Sequence, residues 1–434
     1  MKFETLRNNK KILLASVIVF VVILTLIIST SLAKYKVTES INIANGTINY
    51  SPSDLTIMAI YIKEDGATQY TSVDEIPEGN FVINNDNSYC KVRDTNINVT
   101  LNYEASTKTI SIAPFTQKNT KCYLYFDAKG NLSIQDIISS RTVSERTDFS
   151  TTLTSDTTGV IYTALDDDGT SYYFAGAPTD NWVKFAGFYW RIIRINGDGT
   201  MRLIYEGTTT RTNGTSSSTT QIETSAFNTS NNNNMYVGYM YTSGTLHGLG
   251  TESAIKKVLD TWYNSNLTDN ASHIDANAGF CGDRSLYSGT GLGTTETYYA
   301  PWRRLHTTKV PTLKCESSTD LYTPKSSIKG NKVLTNPIGL ITIDEAMYAG
   351  GVFNTANSAY YLYTGNHYWT ISPYYYANNI SYVIYVHNGG YLGHYVGIIP
   401  SSNVMGVRPV INLRADTQFK KGTLGTVNSP YEVI

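Results

Sequence analysis

The chain has 434 residues, enough for two or three domains with cores of their own, and its 34 basic and 35 acidic side chains leave a formal charge of −1. No large basic block follows residue 36, which argues against nucleic acid as a partner, because phosphate binding needs clustered Lys and Arg. Low charge with abundant Tyr, Asn, Thr, Ser and Gly predicts a β-rich, loop-rich chain and excludes a helical bundle.

Lys2, Arg7, Lys10 and Lys11 precede an apolar run from Ile12 to Ile28 that extends to Leu32. Such a run can span a bilayer, and its cationic flank keeps the N-terminus inside, so the chain after Tyr35 is expected to be exported. Ser31-Leu32-Ala33 also has the small residues of a signal-peptidase site before Lys34. Residues 1–35 therefore read as a signal anchor or a signal peptide: the membrane is a partner through residues 12–32, or the chain is secreted. Four cysteines fit that compartment. Cys90 and Cys122 lie 32 apart and Cys281 and Cys315 lie 34 apart, so two local disulfides are the simplest pairing. No Cys sits near a His in metal-ligand spacing, and neither a metal nor another cofactor is expected.

Residues 36–130 are predicted to form a small all-β sandwich, a spacer with no catalytic features. Ile41–Ile43, Leu55–Ile62, Ile97–Tyr103, Thr109–Ile112 and Cys122–Phe126 alternate or read as buried strands between polar turns. Residues 131–158 read as a linker. Residues 159–434 form the last domain, opening with an apolar run, Trp182–Ile195, joined by Asn196-Gly-Asp-Gly199 to Thr200–Tyr205, a hairpin signal. Residues 207–234 are low in complexity and read as a flexible insertion. Glu252–Leu267 predicts a helix capped by Thr251, with Ile255, Val258, Leu259 and Trp262 on one face and Lys256, Lys257 and Asp260 on the other. Asn336–Ile343 reads as a strand, and Asp344–Tyr348 as a short helix stopped by Gly350-Gly351.

From Ala346 to Val407 there is no charged residue, while Tyr360–Tyr395 holds eleven tyrosines, one Trp and three of the six histidines. So many hydroxyls, amides and imidazoles would need partners if buried, so the stretch is expected to present a hydrogen-bonding aromatic surface. Ser381–His387 fits a strand with Val383 inward, Gly389-Gly390 a turn. Trp190, Trp262, Trp369 and Pro373 are assigned to scaffold, and Arg408 to a structural role donating to backbone carbonyls.

Phe185–Gly199, Ile338–Ala346, Tyr368–Pro373 and Gly406–Leu413, with its Gly-Val-Arg-Pro-Val, together resemble the exported surface proteins of gut Firmicutes and Mollicutes that end in a C-type-lectin-like domain. That domain is similar to the formylglycine-generating-enzyme, or sulfatase-modifying-factor, fold. The resemblance covers roughly residues 150–434 and implies an α+β C-type-lectin-like domain with much irregular chain. The related oxidation chemistry uses a C-terminal cysteine pair, but no Cys follows Cys315 here. Asp344 and Glu345 are adjacent and make a poor acid/base pair, so the chain is not expected to be an enzyme. Calcium-binding lectins of this fold use Glu-Pro-Asn or Gln-Pro-Asp; this chain has Ser372-Pro373 and no acid between Glu345 and Asp416.

The remaining reading is metal-independent recognition or adhesion at the cell surface, with an extracellular protein or glycan as ligand. The candidate residues are Tyr374, Tyr375, Tyr376, Asn378, Asn379, Tyr382, Tyr385, His387, Asn388, Tyr391, His394 and Tyr395, within a face spanning 374–403. Their residue types also resemble the mutated positions of retroelement-diversified variable proteins that use this fold. The alternative is a structural envelope protein in which these side chains are internal. Solvent exposure from Tyr374 to Tyr395 separates the two.

Overall fold

A computed structural model describes residues 55–64, 67–77, 81–104, 109–113, 118–128, 130–393 and 404–434. The expected membrane segment at 12–32, the signal region 1–35 and the strand at Ile41–Ile43 lie outside these, as do His394, Tyr395 and the rest of the 394–403 stretch. Among the described residues no helix is long and apolar enough to cross a membrane. Strands far outweigh helices, as the composition predicts. The chain divides into two compact units, residues 1–58 with 85–123, and residues 59–84 with 124–434. The expected domain edge at residue 130 is thus not a unit boundary.

In the first unit, Tyr89–Val92 pairs antiparallel with Thr95–Ile97, and Thr100–Glu104 with Thr109–Ala113. Cys90 and Cys122 face each other across neighbouring strands and form a disulfide, with Tyr89 stacked on Tyr123 alongside.

The second unit begins its C-terminal part where a linker is expected. Leu132–Ser133 pairs with Gln418–Phe419, and the helix α1 (Ile134–Ser139) buries Ile134, Ile137 and Ile138. A capping box between Ser133 and Asp136 fixes its start. Arg141 is then buried against Asp180. Residues 131–158 are part of the folded body because their apolar residues complete its core, which local composition does not reveal.

An eight-stranded sheet follows, ordered Thr142–Ser144, β1 (Val160–Leu165), β2 (Thr170–Tyr173), β4 (Phe188–Ile195), β3 (Trp182–Phe185), Tyr431–Glu432, with β5 (Met201–Gly207) joining β4 to β8 (Val410–Leu413). The apolar run read as one strand is itself a hairpin. Ala186 and Gly187 have φ of 51° and 81°, a two-residue turn whose twist suits paired strands. The β4–β5 pairing across Asn196–Gly199 agrees with the sequence signal.

Residues 207–234, expected as a flexible insertion, also belong to the body: Phe227, Asn228 and Asn234 are buried, and Glu223–Ser225 pairs with Met405–Val407. Asn234 donates to the carbonyls of Leu292, Gly293 and Thr295, so its polarity serves the interior. Helix α2 (Ala254–Asn266) is capped by Ser253 and not by Thr251. It buries Ile255, Leu259, Tyr263 and also Lys256, whose ammonium is held by Glu252 and Asp260 one turn away on either side. The expected strand Asn336–Ile343 is irregular chain as far as Thr342, with a single bridge from Gly339 to Val410. Helix α3 (Ile343–Tyr348) starts at a Thr342–Glu345 capping box.

A second, seven-stranded sheet is built on the hairpin of β6 (Tyr368–Ala377) and β7 (Ile380–Val386), flanked by Thr297–Tyr299, Leu286–Ser288, Leu392–Gly393, Met405–Val407 and Glu223–Ser225. Arg408 donates to the Tyr205 and Leu362 carbonyls, as expected, and additionally pairs with buried Glu206.

Candidate functional site

The β6–β7 hairpin is where the uncharged, tyrosine-rich stretch folds, and it is largely interior. Tyr374, Tyr376 and Tyr385 are 2%, 1% and 3% exposed, and Val383, Ile384 and Val386 are fully buried. Several of the side-chain hydroxyls that argued for a surface have internal partners, while those of Tyr360 and Tyr361 are buried without one among the described residues. Thr370 donates to the Ile384 carbonyl at 2.6 Å, Ser381 to Asn233 at 2.7 Å, Tyr368 to Leu362 at 2.9 Å and Tyr376 to Asn232 at 3.1 Å. Absence of charge here follows from burial, since an unpaired ion would be costly between two covered faces. Trp369 is scaffold, its indole N–H bonded to the Ser225 carbonyl.

The described part of the expected 374–403 face, residues 374–393, therefore breaks up. Tyr374, Tyr376 and Tyr385 are corrected to core. Asn378 and Asn379 are exposed, but φ values of 53° and 61° and the Ala377–Ile380 pairing make them the two residues of a hairpin turn. Asn tolerates that left-handed geometry, which explains both residues without a ligand. His387 stacks on Tyr391 at 3.8 Å and meets His367 edge-on at 4.4 Å. Burial first, then the nearby His367, pulls the His387 imidazole down to about 4, so it is neutral at physiological pH. Asn388 is exposed beside it.

Tyr375 and Tyr382 remain half-exposed, and they belong to a larger feature. Tyr298, Tyr375 and Tyr382 are direct cross-strand neighbours on one sheet face, with ring centroids 5.4 and 4.5 Å apart. The row continues through Trp302, 4.8 Å from Tyr298, onto Tyr287 and His306, which both stack on the indole, at 5.3 and 5.1 Å. Local geometry sets this up: a short helix at Ala300–Arg303 with Pro301 in its first turn runs into a wider turn, Arg304–Thr308. Trp302 and His306, four residues apart, therefore stand one above the other. Tyr287 is 46% exposed, and Arg303 lies over its ring.

The same segment lines a second feature. Arg304, next to Arg303, reaches into a cleft of about 460 Å³ bounded by β4, β5, α3, Ser372 and the Cys281–Cys315 disulfide, which forms as the spacing suggested. Arg304 is gripped by Asp344 through Nε at 2.7 Å and Nη2 at 2.8 Å, and by Asp283 at 2.6 Å. Burial alone would lower its pKa, but these carboxylates outweigh it and raise it. Arg194 bonds Asp166 at 2.9 Å and Glu345 at 3.1 Å, while fully buried Arg202 meets the same Glu345 oxygen. Asp344 and Glu345, adjacent on α3, are thus anchors for three arginines. Burial would raise the Glu345 carboxyl, yet Arg202 and Arg194 hold it below the usual range. At the rim, Lys329 joins Asp168 to Asp198, both at 2.7 Å.

No family model, curated protein or solved structure matches the chain. Among the described residues no group of three or more His, Cys, Asp or Glu is arranged to hold a metal ion.

The cleft was missed by sequence reasoning because its charges come from five separated segments, around 166–168, 194–202, 283–304, 314–329 and 344–345. The available signal was Arg194 and Arg202 inside otherwise apolar strands. A cation at a core-strand position needs a buried anion, and that requirement announces a charged interior.

Proposed function

We propose that this chain is an exported surface protein that recognises a polypeptide ligand through the aromatic row Tyr287–Trp302–Tyr298–Tyr375–Tyr382. The reading rests on the partly exposed rings of that row, in contact with one another by stacked, tilted and edge-on pairs. Stacking occupies many of the ring faces, so ring edges are what the row offers a partner. Sugar rings bind by lying on open aromatic faces, whereas protein partners use tyrosine edges and hydroxyls together. Within the protein-or-glycan alternatives, the polypeptide is favoured. The β-rich body with long irregular connections supports assigning the C-terminal part to a C-type-lectin-like domain, and the cationic apolar N-terminus supports export and anchoring.

A second reading has an observation of its own. Burial of Tyr374, Tyr376 and Tyr385 favours a structural envelope protein whose tyrosines mainly pack. Binding of the full-length chain to a panel of purified extracellular proteins and to a glycan array separates the two. A saturable protein partner lost in Tyr298→Ser/Tyr375→Ser/Tyr382→Ser but kept in Asn388→Ala supports recognition. Equal binding by both variants, or binding to glycans alone, rejects this assignment.

A further inference from the structure

The charged cleft is independent of the aromatic row and has donors left over. Arg194 uses Nε and Nη1 on Glu345, Asp166 and Ser171, and Arg304 uses Nε and Nη2 on Asp344 and Asp283. Arg194 Nη2 and Arg304 Nη1 have no hydrogen-bond partner among the described residues, and both side chains line the cavity. Each guanidinium is clamped by two carboxylates, so its free nitrogen is held in place before any ligand arrives. Preorganised guanidinium donors within one cavity suit a carboxylate, and little ordering cost remains to be met on binding.

The cleft as a whole has the opposite bias. Eight carboxylate side chains line it against five cationic ones. The acids include Asp167 and Glu316, both exposed on the outer wall, and Glu316 makes no ion pair. A simple anion would be repelled on approach by that excess, while a simple amine would find the floor already occupied by arginines. One ligand class satisfies both ends. The volume of about 460 Å³ also falls within the roughly 300–1,000 Å³ of small-molecule sites.

We propose that this cleft binds a basic α-amino acid, its carboxylate on Arg194 Nη2 and Arg304 Nη1 and its cationic groups toward Asp167 and Glu316. No bond is made or broken; the site binds.

Titration calorimetry of the full-length chain with lysine and arginine tests this, with cadaverine and agmatine as carboxylate-free counterparts, and glutamate and inorganic phosphate as anions. Lysine or arginine should bind saturably, at least tenfold tighter than its carboxylate-free counterpart, and glutamate and phosphate should be weaker still. Arg304→Lys keeps the charge that Asp283 and Asp344 require but removes the free nitrogen. It should weaken lysine at least tenfold and leave cadaverine unchanged. Glu316→Gln, an exposed change that cannot unfold the chain, should weaken lysine several-fold, more so at low salt. Cadaverine binding as tightly as lysine, phosphate or glutamate binding more tightly, or no saturable binding of either basic amino acid would overturn the proposal. Tyr382→Ser should leave lysine binding intact, so failure of the aromatic row and failure of the cleft are told apart.

Discussion

The tyrosine-rich hairpin and the charged cleft invert what their sequences suggest. The hairpin is polar by composition and carries many hydroxyls, yet it is largely interior, with the hydroxyls of Tyr368, Thr370, Tyr376 and Ser381 donating to backbone carbonyls. The cleft gathers the most water-loving side chains in the domain, yet Arg202 and Glu345 are almost completely buried. The difference lies in partners, not in polarity. A neutral hydroxyl is satisfied by a single backbone carbonyl, near in the chain or far from it, and costs little when buried, whereas a buried ion needs an ion of opposite charge. Mutations should therefore hurt the two regions in different ways.

The largest effect is expected in the cleft. Glu345→Ala leaves Arg194 and Arg202 without their shared anion, and removing one partner of a buried ion pair costs about 3–5 kcal/mol. Urea unfolding monitored by tryptophan fluorescence measures it; a loss below about 1 kcal/mol would mean the arginines find other anions or water. Acid should reproduce part of the effect. Glu345 and Asp166 are held below their ordinary carboxylate range, the first by Arg202 and Arg194, the second by the Gly197 amide, Ser171 and Arg194, each against the upward push of burial. Groups with depressed folded pKa contribute stability that is present above the unfolded values of about 4 and is lost as pH falls through the folded ones. Stability should thus be level above about pH 5 and fall below about pH 4 in the wild type, with a shallower fall in Glu345→Ala.

Within the hairpin, burial separates tyrosines that look alike in sequence. Tyr374→Ala empties a core position and should cost about 3–5 kcal/mol, in line with other large aromatic truncations. Tyr382→Ala, on the half-exposed row, should cost about 1 kcal/mol from a lost cross-strand aromatic pair. Equal costs at the two positions would show that the row is as interior as the core. It would then remove the surface on which recognition depends.

What could be read from the sequence follows the same division. Both disulfides, the β4–β5 hairpin, helices α2 and α3 and the structural role of Arg408 rest on short-range signals of period, turn chemistry or spacing. The places of 131–158 and 207–234 do not, because Leu132 and Glu223 pair with strands nearly 300 and 200 residues downstream. The cleft was hidden for the same reason, its lining segments being distant in the chain. The proposed binding surface lies apart from most of the tyrosine-rich stretch because residue type alone does not set exposure. Tyr375 and Tyr382 belong to it, but Tyr287, Tyr298 and Trp302 come from the disulfide loop.

The smallest effect is the one that most directly tests the turn reading of Asn378 and Asn379. Both have positive φ, and a β-branched residue is strained there while Gly is not. Asn379→Val should destabilise by about 1–2 kcal/mol, through backbone strain of about 1 kcal/mol or more and loss of the bond its side chain accepts from Tyr376. Asn379→Gly relieves the strain but still loses that bond, so its cost should stay under about 1 kcal/mol. A recognition role predicts a different pattern, in which Gly and Val lose binding alike because both remove the amide. If Asn379→Gly abolishes partner binding while stability is unchanged, the turn is part of the surface after all, and the aromatic row extends around the end of the hairpin.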